Sequence, residues 1–416
     1  MREEFADRHS VRLSQLTKGH SFNTFRTTTT HSLSGHTENV PYPTMDALPP
    51  KRIRRATGLG PSLDRDASAA GITWVRRVLS HDTAPSSDED PPDRTAWGFI
   101  WCALTEDRLT GLALPEIARG LPATASQIAA VTKIHTVHTA FDLLAEAVLR
   151  DVHAVLAANG IEWRILKGLA TAHLWYEAPD QRHTADVDLL VHERDFWRAI
   201  EVLGAVWPRA IVFRSVSSQQ AANQATFVHE TGIEIDLHRW VTGFLPAFRL
   251  PESAWWEHPQ PLRLWWGEAS AMSADLMAFH VLLHLTSGTV RLTTVADLLR
   301  AFARDDIDWN RVRGLADSRG LRTSLWWGVE RANVWAQSQR IGDLANDLHP
   351  GRPWTVAGQP FLGSPRARQL LLHATSPRRT RRLVQSLRPS AEFLAWRASR
   401  QAAATMAAEA RQSPLQ

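Results

Sequence analysis

Tryptophan is concentrated in one part of this chain, and its distribution limits where a folded core can form. Of the 18 tryptophans in 416 residues, only Trp74 lies before residue 96. Large aromatic side chains supply much of the buried area of a core, so residues 1–95, which are rich in Ser, Thr, His, Pro and Arg, can contribute little to one. We therefore predict a disordered extension over residues 1–95 and a folded unit formed by about three quarters of the chain.

Cysteine usage and the apolar pattern exclude two broad classes of protein. Cys102 is the single cysteine, so an intramolecular disulfide framework and a multi-cysteine zinc site are both excluded. No run reaches the ~18 uninterrupted apolar residues of a membrane-spanning helix, and the amino terminus lacks the apolar segment of a secretory signal. We expect a cytoplasmic protein with no membrane partner.

The charge balance gives little reason to expect nucleic acid as a partner. The chain has 47 basic and 43 acidic residues, a formal net charge of +4, which is too small for a large positive field. Basic clusters at 51–55 and 377–390 would suit a polyanion, but such clusters are more often solvated. Nucleic acid stays open as a partner without support from net charge.

The apolar periodicity divides the rest of the chain into sections. Residues 96–160 are a helical lead-in, whose longest helix is predicted over 125–158 and stops at Asn159-Gly160. From 161 to 248, short strand and helix patterns alternate, which predicts a small mixed sheet with flanking helices. The predicted strands are 161–166, 185–191, 225–230 and 233–238, and the predicted helices are 169–176 and 193–204.

The remaining sequence is predicted to be helical. Residues 249–345 show helical spacing of apolar positions, and 346–416 form a basic helical C-terminal tail. Thr231-Gly232 joins the last two predicted strands as a hairpin. The fold class that follows is α+β, with a small mixed sheet and flanking helices, followed by an all-helical half and preceded by the disordered N-terminal extension. The predicted helices are 274–285, 290–302, 309–319, 321–338 and a tail helix from 365.

Two predicted strands carry the acidic residues that bear on function. Residues two apart on a strand face the same side, so Asp186 and Asp188 project together while Val187 points to the core. The same alternation at 233–238 puts Asp236 on the face opposite the buried isoleucines. A DxD tripeptide alone is more often a solvated strand face, so its significance depends on its neighbours.

A cluster of three carboxylates needs a compensating positive charge. Two ionised carboxylates ~4 Å apart repel by about 4 kcal/mol at an effective dielectric of 20. A divalent cation removes that cost, and all-oxygen ligands suit Mg²⁺, which often contacts substrate phosphates as well. The pattern therefore predicts phosphoryl or nucleotidyl transfer at a magnesium site.

Lys167 and Gly168 follow the first predicted strand at a strand-to-helix turn. Only four residues of the chain are lysines, against 43 arginines, so a retained lysine is informative. Such a turn directs backbone N–H groups at an anion, and glycine allows a phosphate to approach closely. A turn glycine beside an exposed lysine explains the pair equally well. Arg182 likewise either binds phosphate or forms a salt bridge with a carboxylate.

In their order along the chain, these motifs resemble a known family. The ordered residues are Leu166-Lys167-Gly168, Pro179, Arg182, Asp186-Val187-Asp188-Leu189-Leu190-Val191 and Ile235-Asp236-Leu237-His238. Together with RLTTVADLLRAF farther on, they are similar to the uncharacterised nucleotidyltransferase family, within the DNA polymerase β-like nucleotidyltransferase superfamily. The resemblance spans roughly residues 97–345.

The resemblance implies a nucleotidyltransferase fold with two Mg²⁺ ions. The positions that correspond to metal ligands and catalytic residues are Asp186, Asp188 and Asp236, and those near the nucleotide are Lys167, Gly168 and Arg182. In the wider superfamily the turn after the first strand carries Gly-Ser and holds the triphosphate. Here that turn is Lys-Gly, which places the triphosphate contact in question.

The implied reaction is in-line attack of an acceptor hydroxyl on the α-phosphate of an NTP, with pyrophosphate leaving. Asp236 is expected to assist deprotonation of the hydroxyl. The sequence does not specify the acceptor, so a small molecule, a peptide, a protein and RNA all stay open.

Several other residues have two interpretations each. His238 shares the face of Asp236 and is a candidate for substrate contact, with a structural role equally open. Asp297, in an otherwise apolar helix, either lines the acceptor side of the cleft or bonds a neighbouring helix end. His280 and His284 have the spacing of two metal ligands on one helix, but core or interface histidines are more common.

Two other functions compete with nucleotidyl transfer. A catalytically weak, nucleotide-binding regulatory partner would keep the fold and act by association, and the altered turn favours it. A metal-dependent glycosyltransferase would also use a DxD, but it would require a nucleotide-binding sheet ahead of the motif, where the sequence is helical.

Overall fold

The structure is a computed structural model of the chain. It describes residues 69–80, 90–211, 224–241, 250–286, 290–319 and 321–349. Within those ranges no helix has the length and apolar character required to cross a membrane. The predicted tail helix, both basic clusters and most of the predicted N-terminal extension lie outside the described residues.

In the described residues, four helices precede the sheet. They are α1 (Ala69–Ser80), α2 (Arg94–Glu106), α3 (Thr110–Ala118) and α4 (Ala125–Ala158). The longest, α4, begins at a capping box in which the side chains of Thr124 and Gln127 each accept the other's backbone N–H. Beyond its last residue, Gly160 adopts a left-handed φ of 62°, which suits glycine. The prediction of a helix over 125–158 is confirmed.

Helix α1 lies inside the segment predicted to be a disordered extension, and for these residues that prediction is wrong. Trp74 is only 4% exposed, and its indole N–H donates to the Pro122 carbonyl over 3.0 Å. Val75, Val78 and Leu79 are also buried in the main core. The helical spacing of these apolar residues outweighs the polar composition around them. The folded unit therefore includes α1.

One mixed seven-stranded sheet organises the centre of the fold. Its strands are β1 (Trp163–Ile165), β2 (Val187–Val191), β3 (Arg209–Ile211), β4 (Gln224–Val228), β5 (Glu234–His238), β6 (Gln260–Leu264) and β7 (Gly267–Ala271). Their spatial order is β3-β4-β5-β2-β1-β7-β6. Strand β2 runs parallel to β5, so the sheet brings the two acidic strands side by side. The α+β class, the mixed sheet and the β4–β5 hairpin are confirmed.

The hairpin formed by β6 and β7 lies in the half predicted to be all helical, and there the prediction is wrong. The two strands pair antiparallel, and β7 joins the sheet beside β1. Leu262 and Leu264 are buried while Arg263 between them is exposed, which is the two-residue period of a strand. Strand β6 forms the sheet edge, where Pro261 is tolerated. Such short strands have too few positions to outweigh the helical patterns around them.

Helices cover the sheet and complete the second half of the chain. Between strands, the described ranges contain α5 (Lys167–Trp175), α6 (Phe196–Val206) and α7 (Glu252–Trp256), with a 3-10 turn at Pro179–Gln181. The second half has α8 (Ala274–Leu285), α9 (Leu292–Phe302), α10 (Trp309–Ser318), α11 (Arg322–Ala336) and α12 (Gln339–Leu348). The predicted ends of α8 are confirmed, those of α9, α10 and α11 are within two residues, and α12 was missed. Mostly buried, α8 packs against α5, α9, α10 and α11.

Candidate active site

The two acidic strands place one aspartate beside another. Asp188 of β2 and Asp236 of β5 are paired in register across the parallel ladder. Neighbouring strands are ~4.8 Å apart and residues in register point to the same face, so the two side chains are neighbours. Leu189 and Leu237, the next pair, are fully buried and anchor the strands in the core. The predicted convergence of these two carboxylates is therefore present.

Both oxygens of the Asp188 carboxylate have partners. The Lys167 Nζ atom lies 3.1 Å from Oδ2, and the His238 Nε2 atom lies 3.0 Å from Oδ1. Burial alone would raise the pKa of Asp188, but the Lys167 ammonium and the His238 hydrogen bond more than reverse this, so the pKa lies well below its usual range. Asp188 is thus a buried, ionised carboxylate.

The Asp236 carboxylate has a partner on β4, the neighbour of β5 on the side away from β2. The Thr226 hydroxyl of β4 donates to Asp236 Oδ1 over 2.5 Å, and the two residues are paired in the antiparallel β4–β5 ladder. Ligand atoms of Asp188, Asp236 and His238 all lie within 4.8 Å of one another. In the described part of the chain this is the one group of three such side chains close enough to hold a metal ion.

Asp186 occupies a different position from the one its spacing predicts. It lies in the bend before β2 rather than on the strand, and it is half-buried. Burial raises its pKa to about 6, and the charge of Asp188 adds to the increase while Lys167 opposes it. Asp186 interacts electrostatically with Asp188, Asp236 and Lys167, but it does not belong to the group of three close ligand atoms.

The Lys167-Gly168 turn is shaped by the protein's own loop. Gly168 has a φ of 28°, and a Cβ there would lie 2.7 Å from Thr184 Oγ1. The Thr184 hydroxyl donates to the Asp186 carbonyl over 3.0 Å, which ties the turn to the segment leading into β2. Glycine is therefore needed for this internal approach, and the predicted phosphate contact of Lys167 and Gly168 stays a prediction.

Arg182 pairs with a carboxylate, the second of its two interpretations. Its Nε and Nη2 atoms lie 3.2 Å and 2.9 Å from the two oxygens of Asp297 in α9, and the Tyr176 hydroxyl donates to Asp297 over 2.8 Å. Burial opposes ionisation of Arg182, but Asp297 outweighs burial and raises the arginine pKa. The bond between Arg182 and Asp297 joins the loop before β2 to α9 of the helical half. Its proposed contact with an acceptor stays untested.

His280 and His284 of α8 form a pair near the acidic cluster. Their Nε2 atoms are 3.0 Å apart, and burial lowers both pKa values, that of His284 to about 3. Both rings interact electrostatically with Lys167, Asp188 and His238. Their helical spacing signalled a pair, but only the fold shows that the pair adjoins the site.

A second histidine cluster, which sequence reasoning missed, supports the loop before β2. The Nδ1 atom of His183 is 2.5 Å from Asp142 Oδ2, and its Nε2 atom is 3.1 Å from His135 Nδ1. Asp142 also accepts the Thr184 N–H over 2.8 Å. His135 and Asp142 lie two turns apart on α4, and this spacing becomes informative only once the loop is known to contact that helix.

Paired aspartates on adjacent parallel strands, beside a strand-to-helix turn, are the arrangement that the resemblance to the nucleotidyltransferase class implies. The chain belongs to the uncharacterised nucleotidyltransferase family, whose model matches residues 93–337. This match confirms the resemblance found in the sequence.

Among solved structures, the chain is similar to an antigenic nucleotidyltransferase-like protein from Paracoccidioides brasiliensis. The sequences are 14% identical, the TM-score is 0.29, and the match covers 50% of this chain and 91% of that chain. A comparison with curated proteins finds no match. The family assignment therefore rests on the family model.

Proposed function

We propose that the protein transfers a nucleoside monophosphate from an NTP to an acceptor hydroxyl and releases pyrophosphate. The observation that carries the proposal is the in-register pairing of Asp188 with Asp236. Family membership supports an NTP as the substrate. The acceptor stays unassigned among small molecules, peptides, proteins and RNA.

The donor set fits a divalent cation. Asp188, Asp236 and His238 offer ligand atoms within 4.8 Å of one another, and the charge of Asp186 acts on both other aspartates. When bound, such a cation would offset the carboxylate charges and stabilise negative charge on the phosphates. The two Mg²⁺ ions that the family resemblance implies would need Asp186 as a further ligand.

The protein's own residues have separate roles in the proposed reaction. Lys167, 3.1 Å from Asp188, places a fixed positive charge beside the incoming triphosphate. Asp236, held by Thr226, accepts the proton of the acceptor hydroxyl as that oxygen attacks the α-phosphate. The new O–P bond forms as the bond to the pyrophosphate oxygen breaks, and the electron pair leaves with pyrophosphate.

Helix α8 limits access of water to the site from one direction. Most of the helix is buried, including His280, whereas His284 is half-buried, and burial lowers the pKa values of both rings. Restricted water strengthens electrostatic interactions between the fixed charges and the substrate. Lys167 and Asp236 are half-buried, so the acceptor would approach these two side chains.

Labelled nucleotides in a cell lysate test the proposal. The full-length protein is incubated with Mg²⁺, lysate and each of the four NTPs labelled at the α-phosphate. We expect one class of labelled product, absent with Asp188→Asn or Asp236→Asn because each substitution removes a carboxylate of the paired set. Glu230→Gln removes an exposed carboxylate in the β4–β5 turn and should retain labelling. Labelling that survives in both aspartate variants would contradict the proposal.

A regulatory nucleotide-binding protein is the second candidate. The observation that favours it is the Gly168 turn, where Thr184 Oγ1 lies in the space that a Cβ would need and Lys167 contacts Asp188. Metal-dependent NTP binding without any labelled product would support this alternative. The glycosyltransferase alternative has no structural support, because the described residues before β1 form helices and loops.

A further inference from the structure

His238 is placed at the acidic cluster by the same strand that carries Asp236. It lies two residues farther along β5, so it shares a face of the strand with Asp236. The side chains of Asp236 and His238 are half-buried, whereas Ile235 and Leu237 on the opposite face are buried. Its Nε2 atom is 3.0 Å from Asp188 Oδ1, and the side chain is 12% exposed. The ring nitrogen is therefore part of the cluster, in a side chain that is partly exposed.

We propose that His238 is a direct ligand of the divalent cation, so that the Asp188–Asp236–His238 site prefers a first-row transition ion such as Mn²⁺ or Co²⁺ to Mg²⁺. This inference rests on the proposed function only for the role of the ion in the reaction. Binding of the ion requires neither nucleotide nor acceptor.

The spacing of the three donors fits one ion. Their ligand atoms lie within 4.8 Å of one another. Ligands bonded at ~2.1 Å in octahedral geometry are ~3 Å apart when adjacent and ~4.2 Å apart when opposite. Small side-chain rotations would therefore bring all three donors onto one ion. His238 Nε2 would exchange its hydrogen bond to Asp188 for the metal bond, and the ring would carry its proton on Nδ1.

The mixed donor set sets the preference among metals. Mg²⁺ binds oxygen ligands and retains its waters, whereas imidazole nitrogen binds first-row transition ions more tightly, with affinity rising from Mn²⁺ to Co²⁺. Replacing one carboxylate by His238 in the set of close donors therefore moves the site away from Mg²⁺. The other ring pair of the site, His280 and His284, places its Nε2 atoms against each other.

The local charge limits the number of ions bound without nucleotide. Asp186, Asp188 and Asp236 together carry three negative charges, and the Lys167 ammonium, 3.1 Å from Asp188, already offsets one of them. A single divalent cation balances the remainder. We therefore expect one ion per chain until a nucleotide adds the negative charge of its phosphates.

Metal titrations of the nucleotide-free, full-length protein test the assignment. MgCl₂ and CoCl₂ binding is followed by calorimetry, and MnCl₂ binding by electron paramagnetic resonance. We expect one ion per chain and a Kd for Mn²⁺ at least about tenfold below that for Mg²⁺. His238→Asn keeps a hydrogen-bond donor toward Asp188, and we expect it to weaken Mn²⁺ binding about 10- to 100-fold and Mg²⁺ binding less than about threefold.

A matched variant and a spectroscopic signal complete the design. His173→Asn changes another half-buried histidine bonded to a carboxylate, Glu146 at 2.9 Å, and should leave both affinities unchanged. Spin-echo modulation of bound Mn²⁺ should show ¹⁴N coupling in the wild type and in His173→Asn, and lose it in His238→Asn. Thermal melting establishes that each variant is folded.

Two results would overturn the ligand assignment. One is equal affinity for Mn²⁺ and Mg²⁺ in the wild type, and the other is unchanged Mn²⁺ affinity in folded His238→Asn. If that variant does not fold, the wild-type ¹⁴N coupling decides, because its absence refutes a histidine ligand. If the wild-type protein binds Mn²⁺ as expected but turns over no NTP, the proposed function is contradicted and the ligand assignment stands.

Discussion

Arg182 forms a bidentate ion pair with Asp297. This pair joins the loop before β2 to helix α9 of the second half of the chain. Two N–H groups of the guanidinium face the two carboxylate oxygens at 3.2 Å and 2.9 Å. The Tyr176 hydroxyl at the end of α5 donates to the same carboxylate. Three parts of the fold therefore meet at Asp297, and the acidic segment at Asp186 follows directly from this junction.

We predict that Asp297→Asn lowers the free energy of unfolding by about 3–5 kcal/mol, because it leaves the Arg182 charge buried without its partner. Urea unfolding at neutral pH measures the change. The matched control is Asp317→Asn, which removes the partner of Arg322 in an exposed pair 2.6 Å apart and should cost less than about 1 kcal/mol. Equal losses in the two variants would show that Asp297 has no special structural role.

Gly168→Ala should destabilise the protein by about 1–3 kcal/mol, because its backbone is left-handed and the new methyl would overlap the Thr184 hydroxyl. The matched control is Gly314→Ala in α10, where nothing lies within 4 Å of an added Cβ. That variant should be stabilised by up to about 1 kcal/mol. Melting temperatures of the two variants give opposite shifts if the turn is shaped as described.

Removal of residues 1–68 should leave the melting temperature nearly unchanged, whereas removal of residues 1–80 should lower it substantially. The second truncation deletes α1 and its buried residues, and Trp74→Ala alone should cost about 3–5 kcal/mol. Differential scanning calorimetry of the two truncated proteins provides the comparison. Similar melting temperatures would restore the original expectation of a dispensable extension.

Burial raises the pKa of Asp107 to about 6, even though a Leu292 backbone hydrogen bond and the Arg291 charge oppose the increase. The native state therefore holds this proton more tightly than the unfolded chain, where the ordinary value is 3.8. Stability contributed by the protonated form is present below pH 3.8 and is lost as the pH rises to about 6.

The stability difference between Asp107→Asn and wild type should consequently grow in favour of the variant between pH 4 and 7, by about 2–3 kcal/mol. Urea unfolding of both proteins across this range measures it, and the other titrating groups cancel in the comparison. A difference that is independent of pH would contradict the assigned shift.

Sequence patterns predicted the elements whose periodicity is long or whose chemistry is unusual. Helix α8 was identified at its ends because its apolar run is long, and Asp188 and Asp236 because strand alternation separates them from the core. Asp186 was expected on the strand, but β2 begins one residue later. Periodicity reports the face of a residue and not where a strand begins.

Other features depend on tertiary contacts that a local pattern does not contain. Trp74 lies in a polar region, and its burial requires the Pro122 carbonyl 48 residues away. The link between Arg182 and Asp297 spans 115 residues, so the choice between phosphate and carboxylate as the partner of Arg182 was open until the fold was known. The approach of His284 to the acidic cluster likewise follows from the packing of α8 against α5.

Pyrophosphate release tests the central claim most directly. With the acceptor fraction of a lysate, a divalent metal salt and the preferred NTP, the wild-type protein should release pyrophosphate in step with product. Asp236→Asn should reduce the rate by at least about 100-fold while the protein keeps its melting temperature. A folded Asp236→Asn protein that releases pyrophosphate at the wild-type rate would contradict the account.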